Sequence, residues 1–169
     1  MLTFPQMLEI LQEEFSESVI LEAASEVKQP WIQVQKEEME RLSTFLLHDP
    51  RFYFDFLNCL SGVDKGKDAQ ELEVVYHLTS MIHEHQLVLK VIVPKTSSED
   101  PDLKPTVPSV SGVWRAADWH EREAYDMLGI YFEGHPDMRR ILMPEDWPGH
   151  PLRKDYENPD TYHNIKVDY

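Results

Sequence analysis

The 169-residue sequence predicts an α+β fold: a two-layer domain over residues 1–129, a mixed β-sheet covered by helices, followed by an extended irregular C-terminal arm over 130–169. Three observations predict it. Strict apolar alternation in "ELEVVYHLTS" and "HQLVLKVIVP" gives two long strands with one buried face. Apolar residues recur at helical spacing in three other segments. Beyond residue 130 neither period survives, and Gly134, Pro136, Pro144, Pro148, Gly149, Pro151 and Pro159 interrupt the chain.

Taken in order, "TFPQMLEILQEEF" places Phe4, Leu8, Leu11 and Phe15 near one helix face, with Thr3 and Pro5 as the start. "SVILEAA" (18–24) and "WIQVQ" (31–35) are expected to be short strands, the second with Ile32 and Val34 on one face. "KEEMERLSTFLLHDP" is an amphipathic helix with Met39, Leu42, Phe45 and Leu46 inward, stopped at Asp49-Pro50. "FYFDFLNCLSGVD" (52–64) fits a short helix or turn leading into an inner strand. The two long strands follow, joined through "MIHEH" as a hairpin, and then a polar, Pro-rich connector over 95–109. "GVWRAADWHEREAYDMLGI" (112–130) is expected to be a helix, with Gly129 as its C-terminal cap and Asp118–Arg122 as an i,i+4 pair.

The formal charge of −15 excludes a general nucleic-acid binder, which needs a basic face for phosphates. It also opposes docking on anionic lipid. The single cysteine, Cys59, excludes an intramolecular disulfide and a self-contained iron–sulfur cluster, and fits a reducing compartment. The N-terminus has no basic region of the signal-peptide kind. No apolar run approaches the ~20 residues that span a bilayer. The expectation is a soluble chain on the cytoplasmic side of whatever it touches.

Several segments imitate catalytic motifs and fail on residue chemistry. "HERE" (120–123) begins like a zinc-protease helix, but the second histidine position holds Ala124. His83 and His85, with His77 on the neighbouring strand, permit a metal site by spacing, although histidines near a hairpin turn are expected to be solvated. "GVDKGK" has one residue too few between its glycines for a phosphate loop, and puts Asp68 where Ser or Thr belongs. No G-x-G-x-x-G occurs, so the usual dinucleotide fold is not expected. Cys59, among apolar neighbours, is expected to be a core thiol. Glu121 and Glu123 point roughly 200° apart on a helix and cannot flank one substrate.

The C-terminal arm carries Met138, Ile141, Leu142, Met143, Trp147, Leu152 and Tyr156 on a segment that forms neither helix nor sheet. Over 134–156 Arg139, Arg140, Arg153 and Lys154 are balanced by Asp137, Glu145, Asp146 and Asp155, which leaves no footprint for RNA. Disordered segments are poor in such apolar residues. The composition therefore favours an arm lying on another protein, with Trp147, Leu152 and Tyr156 as apolar anchors and Arg139, Arg140, Arg153 and Lys154 as polar clamps. An arm wrapped around its own domain is the alternative.

"EREAYDMLGIYFEGHPDMRRILMPEDWPGHPLRKDY" (121–156) resembles the signature of the C subunit of proton-pumping NADH:quinone oxidoreductase, respiratory complex I. The resemblance extends back through "VPSVSGVWRAADW" and the long hairpin, and weakens before about residue 50. It implies an α+β domain with an extension that clasps the quinone-pocket subunit and the terminal iron–sulfur subunit. It implies no catalytic residue and no cofactor in this chain, with FMN, iron–sulfur clusters and quinone in partner subunits. Glu121, Arg122, Glu123, Tyr125, Asp126 and Gly129 match the signature without assignable individual roles. The chain ends at Tyr169, soon after the signature, so members fused to the quinone-pocket subunit are not expected to be its model. Similar subunits of ferredoxin–plastoquinone photosynthetic complexes and membrane-bound hydrogenases fit equally. A stand-alone metallo-enzyme using His77, His83 and His85 is the rival of a different class.

Overall fold

The computed structural model describes residues 2–16, 18–95 and 105–167. Helix α1 (Phe4–Glu14) starts at Thr3, whose main-chain N–H and hydroxyl both donate to Gln6 Oε1 at 2.9 Å. Pro5 in the first turn needs no helical N–H partner. Strands β1 (Ile20–Ala24) and β2 (Trp31–Val34) pair antiparallel, and a short 3-10 turn leads into α2 (Met39–His48). Asp49 stops α2, as its Asp-Pro pair predicts. The turn after it feeds β3 (Phe56–Asp64), then β4 (Glu71–Ser80) and β5 (His85–Pro94).

The five strands form one mixed sheet in the order β1-β2-β5-β4-β3, parallel between β2 and β5 and antiparallel elsewhere. The predicted alternation holds residue by residue: Leu72, Val74, Tyr76, Leu78, Leu87, Leu89, Val91 and Val93 are all inside, as are Ile32 and Val34. Met7 and Leu11 of α1 and Met39, Leu42 and Leu46 of α2 belong to the same core. Each such side chain contributes about 1.5–3 kcal/mol by burial. Helix α3 (Ala117–Leu128) packs on β3 where Gly62 lets it approach; a Cβ there would lie 2.5 Å from a Leu128 methyl.

Four expectations need correction. Helix α3 begins at Ala117, not near 112. The Trp114 indole is buried and donates to Phe54 O at 2.8 Å, which holds residues 110–116 as turns despite their helical pattern. The segments around the arm are not wholly irregular: β6 (Thr106–Pro108) pairs in parallel with β7 (Tyr131–Glu133), and β8 (Thr161–Tyr162) forms a small hairpin with β9 (Ile165–Lys166). Strands of two or three residues are too short to show a period. Within the connector, residues 96–104 lie outside the described residues.

Cys59 is half-buried on the open face of the sheet, 3.0 Å from Ser61 Oγ, because a register shift between Leu57 and Cys59 turns Leu57 and Leu60 inward instead. His85, expected in solvent, is buried, since inward alternation on β5 starts with it. His77 pairs with Val88 and so faces away from the layer that holds His85. The structure therefore does not bring His77, His83 and His85 together.

Candidate functional site

The signature lies on α3, and burial there breaks the ordinary rule for charge. Glu121, Arg122 and Asp126 are all inside, while Glu123 is exposed. Buried charges need partners, and each has them. Ser109 Oγ and the Val110 N–H donate to Glu121 at 2.6 and 2.7 Å. Burial nevertheless pushes the Glu121 carboxyl up to about 7, since those two donors offset only part of the desolvation. His135, from the start of the arm, accepts the Asp137 N–H at Nδ1 and donates from Nε2 to Asp118 O, 3.9 Å from Glu121. The Arg122 guanidinium lies over the Trp119 ring and donates to Arg139 O.

Asp126 is the centre of the site. Its Oδ2 accepts three successive main-chain N–H groups, from Ile141, Leu142 and Met143, at 2.7–3.0 Å, and its Oδ1 receives Arg140 at 3.0 Å. Burial alone would raise its pKa, but the three amides and the guanidinium outweigh it and hold the carboxyl below its ordinary value. Arg140 also donates to Gly149 O. Helix α3 ends at Gly129 in the left-handed region, φ 73°, with its free carbonyls taken by the arm. Leu152 N–H donates to Met127 O, Arg153 Nε to Leu128 O, and His150 Nδ1 to Asp126 O.

A second buried carboxylate, Asp64 at the end of β3, repeats the device. It receives Lys95 Nζ at 2.7 Å, the Lys154 N–H at 2.8 Å and the Gly66 N–H at 2.9 Å. Lys95 reaches on to Asp155 at 3.0 Å. Burial pushes Asp64 up and Lys95 down, yet the Lys95, Lys154 and Gly66 donors outweigh it at Asp64, and Asp64 with Asp155 outweighs it at Lys95.

The predicted anchors and clamps divide accordingly. Arg140, Arg153 and the Lys154 backbone hold the arm to its own domain. Trp147 is half-buried and donates to the Tyr156 hydroxyl at 2.9 Å, with the Tyr162 ring 4.8 Å away. Arg139 projects outward beside Asp137, and Leu142 and Leu152 are 61% and 56% exposed. Sequence reasoning misses Asp64, Lys95, His135 and His150, because nothing local marks the two strand ends or tells which of eight histidines turns inward. Among the described residues no three His, Cys, Asp or Glu side chains are placed to hold a metal ion.

A model of the family described as Respiratory-chain NADH dehydrogenase, 30 Kd subunit, matches residues 32–162. The C subunit of the NADH-quinone oxidoreductase of Chloroherpeton thalassium is 46% identical over 95% of this chain and 63% of its own length. That of Chlorobium phaeobacteroides is 39% identical over 95% of this chain and 93% of its own. The chain thus spans somewhat less than two thirds of the first relative and nearly all of the second. A solved chain of the membrane-bound sulfane sulfur reductase, an archaeal respiratory membrane complex, has the same fold, with a TM-score of 0.71 over 90% of this chain and 85% of that one at 22% identity. The matched span takes in the sheet from β2 onward, the signature helix and most of the arm, and the chain belongs to the respiratory-chain NADH dehydrogenase 30 Kd subunit family.

Proposed function

We propose that the chain is a redox-inactive structural subunit of an NADH:quinone oxidoreductase, tying together the quinone-reducing module. Electrons would pass from NADH through FMN and iron–sulfur clusters to quinone, with coupled proton translocation, all on groups held by other subunits. Its neighbours would be the quinone-pocket subunit and the subunit with the terminal cluster, on the cytoplasmic face of the membrane. One observation carries this reading: the arm is fixed to its own domain by main-chain donors at Asp126 and Asp64, which leaves the Leu142 and Leu152 side chains facing outward. An arm held in this way meets a partner already shaped, and loses little conformational entropy on docking. Among the described residues no helix is long and apolar enough to cross a membrane, which fits peripheral attachment.

The fold is also that of a chain in the sulfane sulfur reductase, so an equivalent place in a respiratory complex with another electron donor is the second reading. The deciding experiment is recovery of the full chain from gently solubilised native membranes beside a version cut after Gly129. The expected result is iron–sulfur proteins and NADH dehydrogenase activity with the full chain and neither with the shortened one. A complex that oxidises a different donor selects the second reading. A full chain that comes out alone refutes both.

A further inference from the structure

Strand β3 has two ends. Asp64 holds the arm at one of them. At the other, roughly 26 Å away at about 3.3 Å per residue, the turn before β3 and the β4–β5 hairpin tip are tied together. His83 Nε2 donates to Pro50 O and His85 Nε2 to Phe52 O, each at 2.8 Å, and the Met81 N–H donates to Asp55 Oδ1 at 2.9 Å. The two imidazoles stack at 5.4 Å, and His85 packs on Phe54. Tyr53 and Glu84 adopt left-handed backbone, φ 42° and 55°, costing about 1–2 kcal/mol each. On this braced frame stand four large apolar side chains in the open: Tyr53, Phe56, Met81 and Ile82, 39%, 51%, 63% and 69% exposed. They are neighbours in the fold, since Tyr53 and Phe56 flank the aspartate that holds Met81, and Phe56 pairs with Thr79. Rigid turns that display a cluster of apolar side chains are features of an interaction surface.

The charge around the cluster states what fits it. Asp55 and Glu84 lie in the same turns and Asp49 in the turn before them, and among the described residues the guanidinium of Arg51 is already shared between Asp49 at 2.7 Å and Glu14 at 3.2 Å. Burial lowers the His85 pKa, which opposes a positive charge there, and its ring nitrogens are engaged with Phe52 O and the Leu2 N–H. Such a rim repels an anionic bilayer and a second copy of itself, and attracts a basic surface.

We propose that this hairpin knob is a second docking surface of the chain, seated in an apolar socket rimmed by Lys or Arg on another protein subunit. The proposal rests on the reading above that the chain works inside a complex. The knob and the arm then grip at opposite ends of one strand, which makes the sheet a spacer between two contacts.

The test places a photo-reactive amino acid at position 82 of the full chain in native membranes and identifies the adduct by mass spectrometry. A companion variant, Met81→Ser with Ile82→Ser, changes only exposed side chains, and the isolated protein is expected to unfold at an unchanged temperature. The expected result is an adduct with a Lys- or Arg-bearing peptide of one other subunit, and about tenfold less complex recovered with the double variant, as for loss of about 1.4 kcal/mol of contact. An adduct with lipid, with a second copy or with nothing overturns the proposal, and so does full recovery of the complex by the double variant. If the unaltered chain recovers no complex, the functional reading fails and takes the knob with it; if it recovers one without the adduct, the knob alone fails.

Discussion

Arg140 and Asp126 are fourteen residues apart in sequence and 3.0 Å apart in space, and the same carboxylate takes the next three main-chain N–H groups after Arg140. One side chain on α3 thus fixes the course of the arm through residues 140–143.

Asp126→Asn removes the counter-charge of Arg140 and turns an amide N–H toward one of its two sets of donors, the guanidinium or the main-chain N–H groups. Breaking one partner of a buried pair costs about 3–5 kcal/mol, so urea unfolding should show a loss of that order. Trypsin should then cut after Arg139 and Arg140, which the native arm protects. The depressed pKa gives a matching pH dependence. This contribution is present above the ordinary carboxylate value of 3.8 and is lost as pH falls through the lower folded-state value.

Glu121 behaves in the opposite sense. Its folded-state pKa of about 7 lies above the ordinary 4.5, chiefly through burial, so the native state keeps a proton that the unfolded chain gives up. Stability from this group is complete below about 4.5 and is lost as pH rises through 7, about 3 kcal/mol in all. Glu121→Gln keeps the hydrogen-bonding shape and removes the titration. Denaturation at pH 5 and pH 8.5 should show the fall in the parent and its disappearance in the variant.

Gly129→Ala adds a Cβ 2.6 Å from His150 Nε2 and 2.8 Å from an Arg153 nitrogen, in a left-handed backbone. The backbone alone costs about 1–2 kcal/mol, and the clash displaces the two side chains that cover the end of α3. The melting temperature should fall, and amide exchange at Leu152, which donates to Met127 O, should accelerate.

Lys95→Met strands the Asp64 carboxylate, whose side chain is fully enclosed. A loss of about 3–5 kcal/mol is expected, read in urea, with the Lys154 end of the arm released before the Asp126 end. Equal release at both ends would show that the two carboxylates do not act separately.

Trp147→Ala removes the donor to Tyr156 and the surface against Tyr162. Recovery of the complex should fall by the equivalent of a few kcal/mol, the range for an aromatic anchor at an interface. Normal yield and activity would remove Trp147 from the contact.

The two long strands are legible in the sequence because each is long enough to repeat its period: Leu72 to Leu78 and Leu87 to Val93 announce their inner face four times over. The cap at Gly129 is legible for the same local reason. Trp114 is not, because its hydrogen bond to Phe54 crosses sixty residues and overrides a helical pattern. The roles of Asp126 and Asp64 are also non-local: each looks like an ordinary surface acid until the arm returns to it from 15 to 90 residues away. His85 misleads because proximity to a turn says less than strand parity does.

The three donors on Asp126 are backbone amides, which every residue except proline possesses. Ile141, Leu142 and Met143 can therefore be exchanged for other amino acids without loosening this attachment, whereas inserting or deleting one residue between Gly129 and Arg140 shifts the amide row out of reach. The attachment is written in the length of the arm more than in its letters, and a scan of insertions should wound the protein where a scan of substitutions leaves it whole.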